Sequence, residues 1–164
     1  MLSILNPEFD EIFTWVIETI IPATDTPGAK DLGVDIIVKK ILNDCFEPNL
    51  TELVLKGVEN VEELSLKNIK KKFVECDQNE RLFVLKQIEH SEKQYLSRSG
   101  LFNPEILNIS QKMEIGQSIQ FIALVKYLTV LVYTKSEYVM TNLTNYVESP
   151  GSYLGFGDNQ LGNH

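Results

Sequence analysis

From Phe9 to Ile21 the apolar residues Phe9, Ile12, Phe13, Val16, Ile17, Ile20 and Ile21 return in steps of three and one. All of them fall on one side of an α-helix. Seven large apolar side chains on one face must be covered. The rest of the chain offers more helices to cover them, because no stretch alternates apolar and polar residues for long enough to argue a sheet. Asn6 can cap this first helix, Pro7 sits where helices tolerate proline, and Pro22 stops it.

The punctuation that follows sets the remaining helices. Pro22-Ala23-Thr24-Asp25-Thr26-Pro27-Gly28-Ala29 combines two prolines, a glycine and three short polar residues, and reads as a loop. A second helix is predicted from about Lys30 to Asp44. Val34, Ile37, Val38, Ile41, Leu42 and Cys45 form its apolar stripe, and Asp35, Lys39 and Lys40 its other face. Pro48 breaks the chain, and a third helix follows from about Leu50 to Leu66 on Leu53, Val54, Val58 and Val61. Gly57 inside it costs roughly 1 kcal/mol against Ala. It marks either a close helix contact or a tolerated weakness.

Lys70 to Lys72, the only basic run, reads as a solvated helix end. Asp77 with Glu80 resembles a capping box, with Asp in place of Ser or Thr. It opens a helix from Gln78 to about Gln94 that should bury Leu82, Leu85 and Ile88. Residues 95–104 read as a loop. A last helix, in one piece or two, covers about Pro104 to Leu143. Its centre (Ile119, Ile122, Leu124, Val125, Leu128, Leu131, Val132) is apolar on most faces, as in the middle of a bundle. The final stretch, 146–164, mixes glycines with aromatics and cannot be helix. It is either a strap docked on the bundle or an arm that binds a partner. The expected architecture is all-α: a single-domain bundle of five or six helices, a long central C-terminal helix and an extended glycine and aromatic tail.

Charge removes several functions. Lys and Arg total 15 against 23 Asp and Glu, a formal charge of −8. Such a chain repels phosphate backbones and anionic membrane surfaces, so no nucleic-acid partner is expected. No membrane insertion is expected either, since the most apolar stretch, Phe121 to Tyr133, is short and contains Lys126. Before Lys30 every charged residue is acidic, unlike a secretory leader. The sequence is therefore read as cytoplasmic or as the mature part of an exported protein.

Catalytic patterns are missing. Cys45 and Cys76 form no CxxC pair, and are read as two buried free thiols, with one disulfide as the alternative. His90 is the only interior histidine, and Gln87-Ile88-Glu89-His90 lacks the first glutamate of a di-iron Glu-x-x-His. It is read as a solvated helix residue. There is no Gly-x-Ser-x-Gly, P-loop or dinucleotide fingerprint. Glu62-Glu63 and Asp10-Glu11 are neighbours that diverge on a helix, unlike a glycosidase pair. No catalytic, cofactor-binding or metal-binding residue is assigned in this chain.

Two separated segments carry a resemblance. One is Ile20-Ile21-Pro22-Ala23-Thr24-Asp25-Thr26-Pro27-Gly28-Ala29 with Leu32-Gly33-Val34 after it. The other is Tyr133-Thr134-x-Ser136-Glu137, then Tyr146, then Pro150-Gly151-x-Tyr153-x-Gly155. In order and spacing they resemble the N- and C-terminal signatures of the gluconate 2-dehydrogenase subunit 3 family. The resemblance implies a non-catalytic accessory subunit that escorts or stabilises a membrane-associated, FAD-dependent sugar or alcohol dehydrogenase. The flavin would sit in a large subunit of GMC-oxidoreductase type, and a cytochrome c subunit, with its haem, often takes the electrons. The small subunit of such complexes usually carries a twin-arginine leader, absent here. Either a leader was removed ahead of Leu2, making the mature form periplasmic, or this member stays in the cytoplasm.

The motif residues have two readings each. Pro22, Thr24, Asp25, Pro27 and Gly28 make either a well-formed interhelix loop or a partner contact. In that loop Asp25 is expected to bond its own turn, and Gly28 to supply an unusual backbone conformation. Tyr133, Ser136 and Glu137 serve core packing and tail anchoring, or a contact. Tyr146, Pro150, Gly151, Tyr153 and Phe156 are candidate anchors on the large subunit. Two other functions are weighed: a small-ligand or metal carrier within the bundle, and a stand-alone enzyme with a pocket near Tyr133, Glu137 and the proline loop.

Overall fold

The first helix, α1 (Pro7–Ile20), buries Ile12, Phe13, Val16 and Ile17, as its spacing requires, and ends ahead of Pro22. This computed structural model describes residues 7–46, 48–98 and 120–144, less the side chains of residues 49 and 95–98. Around α1 stand α2 (Val34–Cys45), α3 (Pro48–Asn68), α4 (Gln78–Arg98) and α5 (Phe121–Thr134). A short 3₁₀ turn, Phe73–Glu75, leads into α4, and a π-helical turn, Val139–Leu143, follows α5. The fold is all-α, with no strand among the described residues. Predicted residues 104–119 and the tail from residue 145 on, with Tyr146, Pro150, Gly151, Tyr153 and Phe156, lie outside the described residues.

α5 is the central element. It packs against each of the other four helices and buries Phe121, Ile122, Leu124, Val125, Leu128 and Val132. Gly57 of α3 makes room for it, since a Cβ at that position would enter the ring of Phe121. Of the two readings of Gly57, the close helix contact is the observed one. Of the one-piece and two-piece readings of the last helix, the described residues show a break, with the π-helical turn reaching Leu143 after it. α5 closes at Thr134, where Ser136 Oγ donates to the Tyr133 carbonyl at 2.7 Å and accepts from the Val139 N–H at 3.4 Å.

The capping box forms as predicted. The Glu80 N–H donates to Asp77 Oδ1 at 2.8 Å, and the Asp77 N–H donates back to Glu80 Oε2 at 2.9 Å. Lys71 pairs with the same glutamate at 2.7 Å, and all three lysines of the basic run are exposed. Lys70, just past α3, takes a left-handed conformation at φ 66°. The α4 helix continues to Arg98, through the first four residues of the stretch expected to be loop.

Two faces are rotated from expectation for one physical reason. In α4 the inward positions are Arg81, Val84, Leu85 and Ile88, so Leu82 is exposed rather than buried. Arg81 occupies an inner slot because its Nε donates to the Phe73 carbonyl at 3.2 Å and its Nη2 to the Val74 carbonyl at 2.8 Å. The Phe73 carbonyl also accepts the Cys76 N–H of the 3₁₀ turn at 3.3 Å, so Arg81 adds a second bond there and ties that turn to α4. Burial pulls the Arg81 pKa below its ordinary value, opposed by Cys76, Asp77 and Glu18. In α2, Asp35 turns inward with Val34, Val38 and Leu42, and leaves Ile37 and Cys45 exposed. Its Oδ2 accepts from Thr14 Oγ1 of α1 at 2.8 Å and from Lys39 Nζ at 3.1 Å, and Lys39 reaches Asp10 at 2.9 Å. The polar face predicted for α2 is thus partly its seam with α1. Both cysteines are free, but only Cys76 is buried.

Candidate functional site

The proline loop is built by the end of α1. Glu18 faces the chain as it leaves the helix. Its Oε1 accepts from the Ala23 N–H at 3.1 Å and its Oε2 from the Lys30 N–H at 2.8 Å. One carboxylate thereby closes a loop of several residues. Ala29 N–H bonds the Ile21 carbonyl at 2.9 Å, and Gly28 N–H bonds Asp31 Oδ2 at 3.0 Å. The Thr24 N–H reaches the Thr26 carbonyl at 3.0 Å. Loops of this kind hold shape only when their backbone groups are satisfied.

Two expectations about this loop need correction. Its carboxylate caps are Glu18 and Asp31, not Asp25, which stands exposed at the tip beside Thr24. Gly28 is needed for space, not for a left-handed conformation. A Cβ there would lie 2.5 Å from Glu18 Oε1 and 2.6 Å from the Ala23 nitrogen. The left-handed glycine is Gly33, at φ 64°, where the chain turns into α2. There the Val34 N–H bonds the Ala29 carbonyl at 3.0 Å, so α2 starts at Val34 rather than at Lys30.

The two motifs, a hundred residues apart in the chain, meet here. Tyr133, in the last turn of α5, donates its hydroxyl to the Pro27 carbonyl at 2.9 Å. The ring itself packs against the core. Pro22, Pro27, Gly28 and Tyr133 are thus brought together, and Ser136 ends the helix that carries Tyr133. Glu137 is exposed one step further on. On the two helices that flank this contact in sequence, large apolar side chains remain in water: Ile36 is 67% and Ile37 47% exposed in the first turn of α2, and Val130 of α5 is 48% exposed.

Sequence reasoning missed Glu18, Asp31 and the stack on Trp15. The Lys30 ammonium lies 4.1 Å from the Trp15 ring centroid and the Arg81 guanidinium 3.8 Å, within the range of cation–π attraction. A signal for Glu18 was available. An acid in the last turn of a helix with no basic residue there opposes the helix dipole, so it needs partners beyond the helix. His90 is exposed, as expected, and hydrogen-bonds Gln94 at 2.8 Å. Among the described residues no three His, Cys, Asp or Glu side chains converge as a metal site would require, and no helix is long and apolar enough to cross a membrane.

The sequence matches the family described as gluconate 2-dehydrogenase subunit 3 across residues 10–151. The chain belongs to that family. Comparison with curated proteins and with solved structures returned no match. Membership makes this a subunit of a dehydrogenase complex, associating with that complex's other subunits. The matched span takes in both the proline loop and the end of α5, the two parts of the chain that the Tyr133–Pro27 hydrogen bond joins.

Proposed function

We propose that this chain is a non-catalytic accessory subunit that stabilises or escorts a FAD-dependent, GMC-type dehydrogenase large subunit. In this reading a cytochrome c subunit takes the electrons, and the mature assembly is periplasmic. The observation that carries the reading is the Tyr133–Pro27 hydrogen bond. It commits the Tyr133 phenol to a backbone carbonyl, while the nearby carboxylates of Glu18 and Asp31 accept from backbone N–H groups. Groups spent this way build a rigid shape and are poorly placed to move protons to a substrate. What the clasp presents outward is Thr24 and Asp25 at the loop tip, Glu137, and the exposed Ile36, Ile37 and Val130. A preformed polar tip beside exposed apolar side chains suits a protein contact. The docked partner would cover these residues.

The test is reconstitution. The chain is co-expressed with the large subunit of its own complex, and gluconate-dependent dye reduction and the flavin spectrum are read on the tagged eluate. Flavin and activity are expected in the co-purified pair and in neither case in this chain alone. A large subunit that folds, exports and works equally well without this chain, or turnover by this chain alone, would overturn the reading.

A further inference from the structure

The seam of α3 and α4 holds a groove of about 390 Å³, open to solvent. Leu64 of α3 lines it together with Phe83, Lys86, Gln87, His90 and Ser91 of α4. None of these residues belongs to the proline loop or to α5. Arg81 and Phe83 are two positions apart and so point to opposite sides of the helix, and the inward Arg81 commits Phe83 outward. The polar side chains of the lining are spent on near neighbours. Ser91 Oγ donates back to the Gln87 carbonyl at 3.0 Å, Gln87 Oε1 accepts from Asn68 Nδ2 of α3 at 2.7 Å, and His90 hydrogen-bonds Gln94 at 2.8 Å. What remains is Leu64, half-buried, Phe83, 49% exposed, and Lys86, exposed. Among the described residues Lys86 has no ion-pair partner. Glu89, the acid one turn on, already pairs with Lys93 at 2.9 Å and with Lys126 at 3.0 Å.

We propose that this groove is a second docking site, for a segment of another subunit that lays an apolar side chain on Phe83 and Leu64 and brings a carboxylate to Lys86. The identity of the occupant rests on the accessory-subunit reading, and its chemistry comes from the groove. Phe83 and Lys86 stand three apart on one helix, so their Cβ atoms are about 5–6 Å from one another. A surface that covers the ring therefore covers the lysine as well. An ammonium taken from water without a partner is costly, so the occupant must supply an anion.

Charge narrows what carries that anion. A chain of formal charge −8 repels the dense charge of a nucleic acid or an anionic membrane. A single carboxylate on a protein meets chiefly the local field of Lys86, in a lining that contains no acid. Shape points the same way. Small-ligand pockets enclose about 70–90% of what they bind, whereas an open groove leaves its occupant to be covered by the rest of a partner. An exposed aromatic ring in a shallow apolar seat is the kind of group that anchors such contacts.

The test is assembly of the full chain with the co-expressed other subunits of its complex, with its dissociation constant read at low and high salt. Phe83→Ser and Lys86→Glu are each expected to weaken assembly roughly tenfold or more. Lys86→Gln should weaken it less than Lys86→Glu, and should flatten the salt dependence of the wild type, because the ion pair is gone. Both side chains face water in the free chain, so unchanged denaturant midpoints separate lost docking from lost folding. Groove variants that assemble as the wild type does would overturn the proposal and leave the accessory-subunit reading standing. Equal losses in Lys86→Gln and Lys86→Glu with an unchanged salt slope would overturn the carboxylate. A free wild-type chain that dimerises, beside a Phe83→Ser chain that does not, would make the occupant a second copy and overturn the proposal too. Failure of the wild type itself to assemble would instead overturn the accessory-subunit reading, and the occupant with it.

Discussion

The two ends of α5 are fastened by opposite means. At the C-terminal end a neutral phenol bonds a neutral carbonyl, Tyr133 to Pro27. At the N-terminal end an ionisable carboxylate bonds an amide, Glu92 to Ile122. Burial pushes the Glu92 pKa up to about 7. A helix that touches every other helix is thus pinned at both ends, and the C-terminal pin is the one that braces the proline loop.

Substitutions can break this contrast. The largest effect is expected for Gly57→Ala. The new methyl group meets the inner atoms of the Phe121 ring, which cannot swing aside as a flexible tip could. Stability should fall toward the upper part of the about 1–3 kcal/mol typical of overpacking, read by denaturant midpoint, with the loss centred on the N-terminal end of α5. Gly28→Ala should cost somewhat less, about 1–2 kcal/mol, because part of the clash is with the movable Glu18 carboxylate and part with the Ala23 backbone. Its signature would be lost amide protection at Ala23 and Lys30. Tyr133→Phe is the mildest. It removes one hydrogen bond, about 1 kcal/mol, read by denaturant midpoint. An unchanged midpoint would mean that the phenol does not brace the loop.

The helical architecture was legible because it rests on apolar periodicity. The α1 stripe and the Asp77–Glu80 box followed from residue type and spacing, whereas the room at Gly57 was only one of two readings until Phe121 was seen against it. What periodicity hides is a charged residue on an inner face. Arg81 and Asp35 each take a slot that hydrophobic patterning reserves for an apolar side chain, and each displaces one outward, Leu82 in α4 and Ile37 in α2. Such residues go inward only because particular carbonyls or hydroxyls await them, and those partners lie on other elements. Glu18 belongs to the same class: its partners, the Ala23 and Lys30 N–H groups, come into reach only when the loop has folded. The loop's place was therefore readable and its fastening was not. Of the motif residues, Tyr133 and Pro27 could be named from the sequence, but their contact depends on α5 packing beside the α1–α2 corner.

Trp15 has a practical consequence. It is the chain's one tryptophan, and two cations from different elements lie over its ring, Lys30 where the loop ends and Arg81 in α4. Indole emission responds to the electric field across the ring, so this protein contains an unlabelled optical gauge at the base of its loop. A subunit that settles on the loop and shifts Lys30 would change the colour or yield of that single emitter. Assembly of the complex could then be followed in real time.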